Sequence, residues 1–155
     1  MTTLQSAVRR RRAVAAAGAV TAGLLVLSAC DKPTPVATIT VGSDSVSSEA
    51  TCHGDGKAIK DPNKCLQEKD IESLSIDPDG RVRFGVDWDV AEKGWLVMMN
   101  GNPMMAEPTK KSYLSTSASS FFNPQNPEDS ALITIVEGTA QEPTAMWSFR
   151  LKKDA

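Results

Sequence analysis

The stretch "RVRFGV" at residues 81–86 decides the fold class, because its apolar residues alternate with polar ones. In an extended chain the three apolar side chains share one face, while Arg81 and Arg83 face water. The stretch "MWSFRLK" at residues 146–152 repeats the pattern with Trp147 among its inward residues. A period of two is typical of half-buried antiparallel strands.

Further strands are predicted where β-branched or alternating residues recur between turn signals. These segments are "VATITV" (36–41), "SEATC" (48–52), "IESLSI" (71–76), "WLVMMN" (95–100), "SYLSTS" (112–117) and "ALITIVE" (131–137). Tight turns are predicted at "DPDG" (77–80) and at Asn100-Gly101. Eight short strands with frequent turns indicate an all-β fold, an antiparallel β-sandwich of about seven to eight strands over residues 36–155.

Two short helical turns interrupt the strands. Asp61 followed by Pro62 is a helix-start signal, since proline is favoured at the first helical position. The run Asp89 to Glu92 has the spacing of a capping box, and Gly94 is placed to end that turn.

The N-terminus has the composition of an export signal. Four arginines at 9–12 precede "AVAAAGAVTAGLLVLSA" (13–29), a run of 17 residues without a charge. A basic segment, an apolar segment and small residues in that order predict a signal peptide over residues 1–29. The run is short and weakly apolar for a membrane-spanning helix, which needs roughly 20 strongly apolar residues.

Leu27-Ser28-Ala29-Cys30 resembles the bacterial lipobox. The resemblance implies a diacylglyceryl group on the Cys30 thiol and cleavage between Ala29 and Cys30. The thiol is required because sulfur is a good nucleophile near neutral pH. Residues 30–35 then form the lipidated cysteine and a short proline-containing tether. We expect the product to be held on the outer face of the cytoplasmic membrane, with the general secretory and twin-arginine routes both open. A signal peptide cut for secretion, with a free Cys30, is the alternative.

Charge limits the partners of the mature chain. The whole chain has 17 Lys and Arg against 19 Asp and Glu, and the predicted leader holds four of the arginines and no acid. Its removal leaves 13 bases against 19 acids, a net charge of −6. A mildly acidic domain is a poor partner for nucleic acid. We therefore expect contact with the membrane through the lipid, with an envelope protein or glycan as a possible partner and a monomer as the default.

Cys52 and Cys65 are the cysteines that remain. In an exported protein an even pair predicts a disulfide. The alternative is a metal pair together with the adjacent His53, although this spacing lacks the short half-site of zinc centres.

The sequence carries no recognisable catalytic constellation. His53 is the single histidine and no nucleophile elbow accompanies it. Asp87 and Asp89 have the spacing of paired carboxylates, but a strand end and a turn cap account for them. The acidic turn at 77–80 has too few ligands for a calcium loop, and no glycine-rich phosphate loop occurs. We predict a protein that is not an enzyme, with no cofactor beyond the covalent lipid.

Two features leave binding hypotheses open. Phe121 and Phe122 are adjacent, so one ring could be exposed and contribute to a binding surface. Met98, Met104 and Met105 lie around the predicted hairpin, and thioethers are ligands for copper(I). Methionine is equally an ordinary filler of cores.

Two resemblances extend the fold prediction. The segment "AEKGWLVMMNGNPM" (91–104) resembles a strand of immunoglobulin-like domains, which implies that Trp95 is a core residue under the facing sheet. The usual pair of cysteines between the sheets is absent. Nearly the full chain resembles a family of small actinobacterial lipoproteins of uncharacterised function, through "LSACDKP", "TITVGSDSVSSEATCHGDGKA", "DPDGRVRFGVD", "GWLVMMNG", "FFNP" and "LITIVEG".

These observations favour a membrane-anchored lipoprotein of the cell envelope, a non-enzymatic binding or accessory module. A copper-binding envelope lipoprotein is the alternative, and an enzyme with an unrecognised site is the least supported reading.

Overall fold

The alternating segments assemble into two facing sheets, an all-β sandwich. The structure is a computed structural model that describes residues 34–67, 71–122 and 129–154. Its strands are β1 (Val36–Val41), β2 (Asp44–Glu49), β3 (Cys52–His53), β4 (Ser73–Ile76), β5 (Arg81–Val86), β6 (Trp95–Met99), β7 (Asn102–Pro103), β8 (Tyr113–Ser117), β9 (Ser130–Gly138) and β10 (Pro143–Lys153).

The first sheet has four strands in the order β2-β1-β5-β8, and all its pairs are antiparallel. The second has six strands in the order β3-β10-β9-β6-β7, and β4 also pairs with β10. The β4–β10 pair is parallel, which differs from the purely antiparallel prediction. The remaining pairs of this sheet are antiparallel.

The described residues form ten strands, so the predicted count of seven to eight is wrong. The predicted strand at 48–52 is divided, because the chain passes there from the four-stranded to the six-stranded sheet. At that crossing the Thr51 hydroxyl accepts a hydrogen bond from the Ser148 backbone N–H, 3.0 Å away. The additional β7 follows the predicted Asn100-Gly101 turn, whose positive φ angles of 49° and 80° suit a tight hairpin.

Two short helices lie between strands, α1 (Pro62–Cys65) and α2 (Trp88–Lys93). A 3₁₀ turn follows β8 at Ala118–Ser120. The proline start of α1 and the Gly94 end of α2 are as predicted. The capping position of α2 was predicted at Asp89, and the structure places it at Asp87. The Asp87 side chain does not cap α2, since its Oδ2 accepts the backbone N–H of Val36 at 2.9 Å.

No helix in the described ranges is both long and apolar enough to traverse a bilayer.

The main core lies between the sheets and explains the alternating patterns. The inward side chains of β10 include Trp147 and Phe149, which are essentially unexposed, and those of β5 are Val82 and Phe84. Burial of such side chains contributes roughly 1.5–3 kcal/mol each relative to exposure. Trp95 is also fully buried in this core, as predicted.

A second apolar cluster covers the outer face of the six-stranded sheet. It contains Cys65, Leu96, Met98, Val136 and Met146, which are all buried. The predicted Cys52–Cys65 disulfide is present, with a Cα–Cα distance of 5.7 Å. It joins α1 to β3, so the segment from β3 to α1 is held over this sheet. This second layer accounts for the nearly continuous apolar run of β6.

Candidate functional site

The outer face of the four-stranded sheet carries the outward residues of the opening strand pattern. Because side chains alternate, β1 contributes Thr38 and Thr40, and β5 contributes Arg81, Arg83 and Gly85. The neighbouring strand β8 contributes Tyr113 and Ser115. We call these seven residues the basic face.

The strand register arranges the basic face in rows. Thr40, Arg83 and Ser115 pair side by side across β1, β5 and β8. Thr38, Gly85 and Tyr113 form the next row. Gly85 has no side chain, so a gap lies between the threonine and the tyrosine.

This arrangement leaves two adjoining depressions on the outer face of the four-stranded sheet. A shallow cavity of about 710 Å³ is lined by all seven residues of the basic face together with Phe84. A second, of about 340 Å³, lies beside it towards the β1–β2 and β4–β5 turns. Thr40, Arg81 and Arg83 line both. The two arginines therefore stand between two adjoining hollows.

Arg81 and Arg83 are exposed, and within the described ranges their guanidinium groups make no ion pair or hydrogen bond. Residues two apart on a strand are about 7 Å apart. An arginine presents a planar fork of donors that matches a carboxylate or phosphate. Asp77 also lines the second hollow, and its Oδ1 accepts the Asp79 backbone N–H at 2.9 Å. The face is thus a local site of positive charge on an acidic domain.

The alternation in residues 81–86 predicts both arginines on the outer side of β5 but indicates no role for them. A signal was present, since only three arginines follow the predicted leader and two of them are Arg81 and Arg83. The pairing of Tyr113 with Gly85 was not visible, because it depends on which strands are neighbours.

The structure leaves neither Phe121 nor Phe122 of the predicted binding surface exposed. Their side chains are only 6% and 9% exposed. The Phe121 ring meets the Phe84 ring edge-to-face, with centroids 6.0 Å apart. The 3₁₀ turn after β8 directs both residues into the core, which strand alternation could not indicate.

The three methionines of the copper hypothesis do not line one common cavity. Met98 is 8% exposed and lies in the second cluster, and Met105 packs against that cluster. Met104 is 37% exposed, and with Met105 it lines a cavity of about 190 Å³ beside β8. Met98 does not line that cavity.

The other polar candidates have local partners. His53 Nδ1 lies 3.1 Å from an oxygen of Asp55, which is 97% exposed. The turn at 77–80 closes with a hydrogen bond from the Gly80 N–H to the Asp77 carbonyl, as predicted. In the described part of the chain, no three His, Cys, Asp or Glu side chains could together hold a metal ion.

One buried acid was missed by the sequence analysis. Glu137 is 2% exposed at the end of β9. Its carboxylate accepts hydrogen bonds from Lys93 Nζ at 3.0 and 3.1 Å and from the Thr144 hydroxyl at 2.6 Å. These contacts fasten α2 to the six-stranded sheet, so we assign Glu137 a structural role.

No protein-family profile, curated protein sequence or solved structure matches this chain.

Proposed function

We propose that this protein is a lipid-anchored binding module of the cell envelope, and that the basic face binds an acidic saccharide. The observation that carries the ligand proposal is the pair Arg81 and Arg83, which are exposed on a hollowed sheet face and have no ionic partner among the described residues. The protein is proposed to bind and not to catalyse.

The location rests on the sequence, because Ala29 and Cys30 lie outside the described residues. The arginine run, the apolar segment and Leu27-Ser28-Ala29-Cys30 support export and lipid attachment. A diacylglyceryl group supplies two acyl chains, and about 0.8 kcal/mol per buried methylene holds such a protein on a membrane. The disulfide is in keeping with a compartment outside the cytoplasm. The proposed family is that of small actinobacterial lipoproteins.

The charge of the ligand follows from the two guanidinium groups. Each can form paired, charge-assisted hydrogen bonds with a carboxylate or phosphate. The rest of the domain is acidic and repels anions, so attraction of an anionic ligand is concentrated at the basic face.

The basic face matches a saccharide ligand better than it matches a protein partner. The lining includes the hydroxyl groups of Thr38, Thr40 and Ser115, which can exchange hydrogen bonds with the hydroxyl groups of a sugar. Cores of protein interfaces are depleted in charge and seat large apolar anchors in pockets. The basic face has charge at its centre and no deep apolar pocket.

Binding of an oligogalacturonate, a carboxylate-bearing saccharide, tests the proposal. We expect Arg81→Gln and Arg83→Gln each to weaken binding roughly tenfold to hundredfold, because a hydrogen bond to a charged group contributes about 1.5–3 kcal/mol. Fluorescence polarisation with a labelled oligomer and residues 31–155 measures this. Added salt should weaken binding as well.

Matched controls make the result specific. Arg150→Gln removes the third arginine, which lies on the six-stranded sheet, and should leave affinity unchanged. Gly85→Thr should fill the gap and weaken binding without unfolding, since a Cβ there meets only the Ser112 carbonyl oxygen at 4.0 Å.

Equal losses of affinity for Arg83→Gln and Arg150→Gln would contradict the proposed face. Equally tight binding of polyglutamate would contradict the saccharide, and binding of neutral dextran would contradict the role of charge.

Copper binding stays the alternative function. It requires tight copper(I) binding that disappears when Met104 and Met105 are replaced by leucine. Because Met98 does not line the cavity that Met104 and Met105 share, copper binding has less support than the basic face has.

A further inference from the structure

The exposed aromatic residues of this protein are concentrated at one end of the domain. The chain has eight Phe, Trp and Tyr residues, and all lie within the described ranges. Six of them are at most 9% exposed. The two others, Trp88 and Tyr113, are 67% and 66% exposed.

Trp88 lies beside the point where the chain enters the domain. It is the first residue of α2 and directly follows Asp87. Asp87 is bound twice to Val36, the first residue of β1: Asp87 Oδ2 accepts the Val36 N–H, and the Asp87 N–H donates to the Val36 carbonyl at 3.3 Å. The backbone from which the Trp88 side chain extends is therefore held beside the start of β1.

Tyr113 lies at the same end. It begins β8 opposite Gly85, and Gly85 pairs with Thr38 near the start of β1. The Val86 N–H donates to the Ser112 carbonyl at 3.0 Å, which holds the preceding residue. We call this region, defined by Val36, Val86, Trp88 and Tyr113, the entry end.

The charges at the entry end are mixed. Lys110 and Lys111 are exposed just before Tyr113, while Asp89 and Glu92 lie in α2. The entry end therefore has no excess of positive charge that would attract anionic lipid. What distinguishes the entry end is its two exposed aromatic rings.

The length of the chain limits how far the entry end can be from the lipid. Thr34 lies four positions after Cys30, and a chain of four residue steps spans at most about 14 Å. The indole and phenol rings of Trp and Tyr favour the interface between lipid and water, because each has an apolar body and a polar tip.

We infer that the entry end rests on the membrane, with Trp88 and Tyr113 inserted among the lipid headgroups. The inference rests on the proposed lipid attachment at Cys30. It gives the anchored domain a fixed orientation. Along β5 the chain runs from Arg81 to Val86, so Arg81 would be about 17 Å farther from the membrane than Val86. The arginines of the basic face would then be held clear of the bilayer and directed towards the cell wall.

Quenching of tryptophan fluorescence by brominated lipid tests the inference. The lipidated full-length product is reconstituted into phosphatidylcholine vesicles with bromine on the acyl chains. Trp95 and Trp147 are fully buried and serve as an unquenched reference within the same protein. We expect quenching of the Trp88 emission, and loss of that quenching in Trp88→Phe.

A matched variant moves the exposed tryptophan to the opposite end. Ser43 is exposed in the turn between β1 and β2, at the far end of β1 from Val36. The double variant Trp88→Phe/Ser43→Trp therefore has the same number of tryptophans and should escape quenching. Quenching at residue 43 to the same extent as at residue 88 would overturn the orientation.

Flotation of the same vesicles separates the two proposals. Protein that floats with the vesicles but shows no quenching of Trp88 overturns the membrane-resting end and leaves the anchor in place. Protein that does not float overturns the anchor, and the inference with it.

Discussion

Trp147→Ala is expected to lower the free energy of unfolding by about 3–5 kcal/mol, since removal of a buried tryptophan costs its transfer energy and leaves a cavity. The Trp147 side chain is unexposed in the core between the sheets. Its Nε1 also donates to the Pro35 carbonyl at 3.1 Å, which fastens the chain just before β1. The loss is a large part of the stability of a typical domain.

Urea denaturation of residues 31–155, followed by far-ultraviolet circular dichroism, measures this effect without using tryptophan as the probe. Trp88→Ala is the matched control, because that side chain is exposed and its loss should change stability by less than about 0.5 kcal/mol. Trp147→Phe keeps an aromatic ring and should give an intermediate loss. Equal urea midpoints for the two alanine variants would contradict the assigned core.

The second large effect is expected from removal of the disulfide. Cys52 and Cys65 are 13 positions apart, and a cross-link closing a loop of this size stabilises a fold by about 3 kcal/mol. Cys65 is also 1% exposed in the second cluster, so its loss removes buried surface there. We expect Cys52→Ala/Cys65→Ala to unfold at lower urea concentration by an amount near that value.

Reduction provides the control for the disulfide. Dithiothreitol should lower the stability of the unmodified sequence to about that of the double variant, and should leave the double variant unchanged. If reduction does not move the urea midpoint of the unmodified sequence, the disulfide does not stabilise the fold as described.

The sequence was sufficient for the parts of the fold set by local alternation. The predicted limits of β1 and β5 agree with the structure at both ends, because β-branched or alternating residues fill them and turn residues bound them. The tight turn at 77–80 and the hairpin at Asn100-Gly101 were equally local.

Features that depend on the neighbours of a strand could not be read in this way. The predicted strand at 48–52 is divided because the chain changes sheets, and no local pattern reports that change. Phe121 and Phe122 were misjudged for a similar reason, since a 3₁₀ turn and the Phe84 ring decide their burial. The second apolar cluster explains why β6 does not alternate, and it exists only because the disulfide segment covers that sheet.

The candidate site shows the same limit. Alternation put Arg81 and Arg83 on the outside of β5, but it could not distinguish solvated arginines from a binding pair. That distinction required the register, which sets Tyr113 across from Gly85 and leaves a hollow beside the arginines.

The proposals describe one arrangement of the protein. Lipid on Cys30 would hold the domain outside the cell, the entry end would rest on the bilayer, and the arginines of the basic face would lie away from it. Each proposal has its own test. Metabolic labelling tests the lipid, fluorescence quenching tests the entry end, and saccharide affinity tests the basic face.

Metabolic labelling with radioactive palmitate tests the lipid attachment on which this arrangement depends. In a bacterium expressing the full chain, the account predicts a labelled protein that sediments with membranes, and an unlabelled Cys30→Ser variant that does not. Cys52→Ala/Cys65→Ala should keep the label, since those cysteines are paired with each other. An unlabelled wild-type protein, or a Cys30→Ser variant with unchanged membrane fractionation, would contradict the account.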